Sequence, residues 1–386
     1  VDFIQKSYPC DSIPAKQALL QTVSKALSPS NRGFESLLGL DFALRNHGIK
    51  AADIRIASPF YLKQKYWKLD VELVDGLFVV SGCGHGDELL GASVVSINRT
   101  SINDWIGQYL KLQAGSFYTQ REYVQALETF GSWIGGMLQG DSMVLVATDF
   151  YTKQIVRKTI LPIDYQEYTK WRETCCKSML SSSRLEESGA QIVYLNPALQ
   201  SYSQLSDLWK NRQSAPVILD LRYVKQLALD TMLLMASEFL PLKRPNFYIK
   251  TVGLSNSNSF GAEVSEFSSA EESSPELPVV LVGPKTGDVA SILASFLYDE
   301  KPECLTGAPT SVPYEGGFLA DQASIYLCNR SIEIKIPTSR IHYMGSTFPL
   351  RDRGLLPETL FVQTWEDYIL KEDTPLNSLV DYVVNP

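Results

Sequence analysis

Three histidines, His47, His85 and His342, are the whole imidazole supply of this 386-residue chain. Any reaction that takes its general base from imidazole is restricted to them. The stretch "LPVVLVGPKTGDVASILASFL", Leu277 to Leu297, has the outline of a nucleophile turn. A β-branched run leads into Gly-Pro-Lys-Thr-Gly and then into small and apolar residues at helical spacing. Such a strand–turn–helix can present a nucleophile beside free backbone N–H groups, which is what acyl transfer needs. The residue at this turn is Asp288. Attack by a carboxylate on a peptide bond would give an anhydride, a poor route. A carboxylate at a helix start instead accepts hydrogen bonds from the first free N–H groups and complements the helix dipole, so Asp288 reads as a helix cap. The fallback nucleophile is Ser291, about one turn further into the helix and away from its N-terminus.

A second cluster, "GCGHGDE", alternates Cys83, His85 and Asp87, which could face one metal ion. Its glycines read more simply as a hairpin turn, and the spacing is not that of a dinucleotide loop. The six cysteines, at 10, 83, 175, 176, 304 and 328, include no CxxC pair, against a zinc ribbon or a thioredoxin-type site. The vicinal pair Cys175-Cys176 falls in a helical stretch. No Walker loop, HExxH or GxSxG occurs, so neither a cofactor nor a metal is expected. "GSWIGGMLQG" reads as turns.

The elements that must position these residues fall into blocks. Residues 1–56 read as a helical segment, with "SIPAKQALLQTVSKAL" and "FESLLGLDFALRNHGIK" at helical spacing. Residues 57–165 read as a small β-rich module, with a Val-Asp-Gly hairpin signal inside "YWKLDVELVDGLFVVSG". A connector spans 166–189. From 190 to 386 strands and helices alternate: "AQIVYLN", "YSQLSDLWKNR", "APVILDLR", "LALDTMLLMASEFLP", "NFYIKTVGL", "LPVVLVG" and "VASILASFL". That alternation predicts an α/β core with at least partly parallel strands. The polar stretch "SNSNSFGAEVSEFSSAEESSPE" reads as a surface excursion.

Composition narrows the partners. With 45% hydrophobic and 20% charged residues, the chain is globular and long enough for two or three domains. A net charge of −8 argues against a nucleic-acid surface. No apolar run approaches the length of a transmembrane helix. "VDFIQKSYPC" lacks a signal-peptide core; a leader already removed would place the protein outside the cell or in its envelope, and otherwise it is cytoplasmic.

The order of these features resembles the S41 serine peptidases, the tail-specific (C-terminal processing) proteases and their tricorn-core relatives. "ELLGASVVSINRTSINDW" is similar to the PDZ-like stretch of that family, and "APVILDLR" to its "glIlDLRgN.GG" strand. "LVGPKTGDVASILASFL" is similar to its "vLvgp.TaSAsEilA.aL" element, and "LTGAPT" to the "iGepT" that follows. "PLRDRGLLPETLFVQTWEDYILKEDTPLNSLVDYV" resembles its terminal segment. The resemblance implies a helical segment, a PDZ-like module and an α/β core of the ClpP/crotonase-like kind.

It also implies where the chemistry would sit. Asp288 takes the nucleophile's position, and Val289 after it one oxyanion donor's. Lys225 and Gln226 replace the glycines that would shape the second donor loop. His47 matches the base of the tricorn-like branch, and Arg351 stands where its orienting acid would be, with Asp352 adjacent. The lysine-using branch is not supported, because no lysine lies between Thr306 and Tyr326. The expected function is an S41-like protein with a degenerate site that binds peptides or protein termini. The alternatives are an active serine peptidase using Ser291 or another serine with His47, and a regulatory partner of an active paralogue.

Overall fold

In the computed structural model the described residues are 53–55, 65–84, 87–114, 123–124, 126–127, 130–138, 141–175, 192–224, 227–240, 247–251, 262–263, 277–310, 322–327, 332–337, 339–343 and 354–384. The expected helices of residues 1–50, His47, His85, Lys225, Gln226, Arg351 and Asp352 lie outside them.

A short strand β1, Asp53–Arg55, comes first. The β-rich unit then starts with β2 (Leu69–Val74) and β3 (Leu77–Cys83). The predicted Val-Asp-Gly turn joins them: Asp75 and Gly76 both take positive φ, 51° and 74°, as a tight hairpin of the right-handed twist demands. Next come β4 (Ser93–Ile97), β5 (Thr100–Ser101) and helix α1 (Ile102–Ala114). After helix α2 (Phe130–Met137), β6 (Met143–Thr148) and β7 (Ile155–Ile160) complete an antiparallel sheet of order β2-β3-β4-β6-β7, with β5 beside β4. Its inner face packs Trp67, Leu69, Val71, Val94 and Leu145 against Ile106, Leu110, Phe130 and Ile134 of the two helices.

Helix α2 corrects the expectation of turns in "GSWIGGMLQG". Gly131 and Gly135 are four residues apart and share one face. A Cβ on Gly131 would lie 2.5 Å from the carbonyl oxygens of Trp67 and Leu69, and one on Gly135 would lie 1.9 Å from that of Lys65. The glycines therefore let a helix backbone rest directly on the chain entering β2, and tertiary packing overrides their low helix propensity.

Helix α3 (Tyr165–Cys175) follows. The second unit is built on a parallel sheet of order β17-β13-β12-β9-β8, from β8 (Val193–Leu195), β9 (Val217–Asp220), β12 (Val279–Val282), β13 (Leu305–Gly307) and β17 (Thr359–Leu360). Each parallel strand is added beside its predecessor, so the sheet grows in one direction. Helix α4 (Tyr202–Lys210) connects β8 to β9, and α6 (Asp288–Glu300) connects β12 to β13. Helix α5 (Leu229–Phe239) follows β9. Alternation along the strands assigns the faces. Val217, Leu219, Val280 and Val282 meet α4, α5 and α6, while Ile218 and Leu281 meet Leu376 and Leu379 of the last helix, α8 (Thr374–Val384). Helix α7 (Trp365–Leu370) precedes it.

Two antiparallel sheets stand beside these. One has the order β1-β15-β14, with β14 Gln322–Leu327 and β15 Ile332–Pro337. Residues 53–55, expected at the end of a helical segment, are thus a strand paired with 333–335. The other has the order β11-β10-β16, from β10 (Phe247–Thr251), β11 (Ala262–Glu263) and β16 (Ser339–Tyr343). "NFYIKTVGL" is a strand as expected, but it pairs antiparallel with distant 339–343 and stays out of the parallel sheet. The polar stretch after it, expected to be a surface excursion, contributes β11. Among the described residues no helix is long and apolar enough to cross a membrane.

Candidate active site

The strand–turn–helix read from the sequence is present. Strand β12 ends at Val282, the chain turns through Gly283–Gly287, and α6 begins at Asp288. Inside the turn the Thr286 N–H donates to the Gly283 carbonyl at 3.0 Å, and the buried Thr286 hydroxyl oxygen accepts from the Gly283 N–H at 3.0 Å. These two bonds make the turn rigid without help from a ligand.

Asp288 is the first residue of the helix, and Gly287 takes the cap position, extended at φ −77° and ψ 174°. This corrects the expectation that Asp288 is itself the cap. The Ser291 N–H closes the first helical bond onto the Gly287 carbonyl at 2.8 Å, which places the cap one residue earlier. Gly287 has no side chain to accept a bond, and none caps the helix there.

Ser291, the fallback nucleophile, is 2% exposed and sits among the apolar residues of α6. Its Oγ points back at the Thr286 carbonyl at 3.4 Å, and its own carbonyl accepts the Ser295 hydroxyl at 2.7 Å. These are bonds of a core serine within a helix. Val289, the residue after the nucleophile position, has its side chain buried in the same core.

The facing loop follows β9 and is held by a backbone contact across the site. The Gly287 N–H donates to the Val224 carbonyl at 2.9 Å, while the Val224 N–H bonds to Leu221 at 3.2 Å. The second loop therefore turns a carbonyl oxygen toward the helix entrance. An oxyanion hole needs converging donors at such a point.

Beneath the loop lies a polar network that the sequence did not announce. Arg222, 7% exposed, donates through Nε and an Nη to Asp220 at 3.0 and 2.7 Å, and through both Nη atoms to Asp373 at 2.6 and 2.8 Å. Asp220, 1% exposed, also accepts from the Tyr194 hydroxyl at 2.7 Å and from the Arg222 N–H at 3.0 Å. Burial alone would lower the guanidinium's pKa, but the two carboxylates overcome this and hold it well above its ordinary value. Burial, reinforced by the Asp220 charge, pushes the Tyr194 phenol up strongly. Asp373 meanwhile caps the start of α8: its carbonyl and Oδ1 accept from the Asn377 and Leu376 N–H groups at 2.8 and 3.2 Å. The available signal was a charged Asp-Leu-Arg at the end of a wholly apolar strand, but nothing local pairs it with a residue 151 positions away.

The other family-like stretches also meet in space. Gly354 of "PLRDRG" takes φ +75°, and a Cβ there would lie 1.9 Å from the carbonyl oxygen of Thr310 of "GAPT". The Leu355 N–H donates to the Thr310 hydroxyl at 2.9 Å, and the Thr310 N–H to the Leu355 carbonyl at 3.0 Å.

Architecture and motif order together define an S41-peptidase-like fold. The backbone superposes on a serine-to-alanine mutant of CPAF with a TM-score of 0.67 and 11% identity, covering 99% of this chain and 94% of that one. Mature CPAF complexed with lactacystin gives 0.63 at 11% identity, covering 100% and 97%. The photosystem II D1 C-terminal processing protease aligns at only 0.39, with 15% identity over 89% and 86%, too loosely to argue from. At these identities the likeness speaks to fold alone. No family model and no curated protein matches the chain.

Proposed function

We propose that this protein has the fold of an S41 peptidase without its chemistry, and that it binds extended peptides or protein termini in the former substrate groove. The observation that carries this reading is the Val224 carbonyl seated on the Gly287 N–H at 2.9 Å, an acceptor at the place where acyl transfer needs a donor. Asp288 at the nucleophile position and the inward-bonded Ser291 hydroxyl support it. In this reading residues 1–56 are the N-terminal segment, 57–165 a PDZ-like module, 166–189 a connector and 190–386 the protease-like core. Strand addition to a sheet edge needs backbone hydrogen bonds alone, so it survives the loss of a nucleophile.

Two measurements test this. A fluorophosphonate probe should leave the folded protein unlabelled, and Asp288→Ser should gain no turnover while the Val224 carbonyl stays in place. A library of extended peptides should include ligands that raise the thermal midpoint. Stoichiometric labelling lost in Ser291→Ala would replace this reading by that of a working serine peptidase. A protein that resists labelling and binds no peptide would leave the regulatory-partner alternative.

A further inference from the structure

Glu72, on β2 of the β-rich unit, stands at a junction of three elements. Its carboxylate accepts from the Lys285 ammonium at 2.5 Å, and Lys285 lies in the turn that leads into α6. The Tyr368 phenol of α7 lies within reach of the same charge: burial, and then the Glu72 carboxylate, raise its pKa. Helix α7 reaches the same unit at a second point. The Trp365 indole N–H donates to the Gly91 carbonyl at 2.8 Å. The Trp365 ring meets the Phe150 ring edge-on at 5.0 Å, and the Lys153 ammonium lies 4.1 Å from the Phe150 centroid and 4.6 Å from that of Trp365. Gly91 takes φ +81°, and a Cβ there would fall 2.0 Å from Cδ1 of Ile369.

Helix α7 has no fully buried residue. It is tied to its own unit through Asp367, which accepts from the Thr374 hydroxyl, and its Trp365 and Ile369 side chains reach the other unit. We infer that α7 and Lys285 form a two-point latch, which fixes the β-rich unit on the parallel-sheet core and thereby holds the turn Gly283–Gly287 in its present shape. Glu72 is the shared element. Its charge stands beside Tyr368 of α7, and its bond to Lys285 passes that position to the candidate site. A ligand that displaces β2 must move the turn, and by linkage a ligand that reshapes the turn must loosen the unit. This inference is independent of whether the site is catalytic.

The test is hydrogen exchange on the full chain. Trp365→Phe keeps an aromatic ring, a smaller one, and removes the indole donor, and Glu72→Gln removes the charge while keeping the shape. Each alone should speed exchange around Gly91 and at 283–287 severalfold, and the double variant should do so by about tenfold or more, an opening cost lowered by about 1.4 kcal/mol. The amides of β9 and β12 should be unchanged. Faster exchange at Gly91 with an unchanged turn would overturn the coupling. A uniform rise across the whole chain would overturn the latch, since these residues would then be ordinary contributors to global stability. No change in the double variant would overturn it as well. Lys158→Met, which breaks the exposed Lys158–Glu88 pair within the β-rich unit, should leave the turn as it is.

Discussion

Replacing Arg222 with Met would show whether the site's foundation is electrostatic. Methionine keeps most of the alkyl volume and removes four charge-assisted hydrogen bonds, two to Asp220 and two to Asp373. The two carboxylates are left in different positions. Asp373 keeps the Leu376 N–H and is partly open to water. Asp220 keeps only the Tyr194 hydroxyl and one backbone N–H, at 1% exposure. A buried charge stripped of its partner costs ~3–5 kcal/mol, a fall of at least a hundredfold in the folding equilibrium. Urea unfolding followed by tryptophan fluorescence and circular dichroism would read this as a lower midpoint. The double variant Asp220→Asn, Arg222→Met removes the stranded charge, so it should be more stable than the single variant and fall within ~1–2 kcal/mol of the parent. A double variant no more stable than the single one would refute the buried-charge reasoning.

Other outcomes follow from named contacts. Gly135→Ala should lower the thermal midpoint by an overpacking cost of ~1–3 kcal/mol, because the new Cβ meets the backbone at Lys65, whereas Gly107→Ala on α1, with nothing within 4 Å, should raise it by ~0.5–1 kcal/mol. Burial pushes the Cys304 thiol up to about 12 from its usual 9.0, so native alkylation at pH 8 should mark the half-buried Cys83 and spare Cys304 until the protein unfolds. The same shift contributes stability that is complete below pH 9 and lost as the pH rises toward 12, and Cys304→Ala should flatten that alkaline limb. Asp367 is held below its ordinary 3.8 by the Thr364 and Thr374 hydroxyls, so its contribution to α7 is present above that pH and lost as acid passes the depressed value; Asp367→Asn should remove that part of the acid dependence.

The sequence carried most of the local structure, and lost track of what distance brings together. Val74-Asp75-Gly76 marked a hairpin because only certain residues tolerate two positive φ values in succession, and that constraint is local. The turn before α6 is visible from another local signal, a Gly-Pro dipeptide between a β-branched run and a helical one. Helix α2 was misread because Gly131 and Gly135 are poor helix formers, and their advantage appears only when carbonyls at Lys65, Trp67 and Leu69 press against them. Strand β10 was recognised as a strand, yet its placement depended on a partner some 90 residues later, at 339–343. At the candidate site, the strand–turn–helix pattern alone places Asp288 at the start of α6. The Val224 carbonyl could not be placed this way, since every residue carries a carbonyl and only the backbone path decides where it points. The Arg222–Asp373 pair failed for a related reason: each half was visible, and only the fold joins them.

The meeting of "DLR" with "KED", and of "RDRG" with "GAPT", bears on how such a protein is recognised at all. Arg222 ties the end of β9 to the start of α8, and Gly354 lets one chain segment cross another at Thr310. Neither junction needs a nucleophile to be worth keeping. The stretches that make this chain look like a peptidase are the joints of its frame, so a search keyed on them retrieves an architecture, whether or not the enzyme is still inside it.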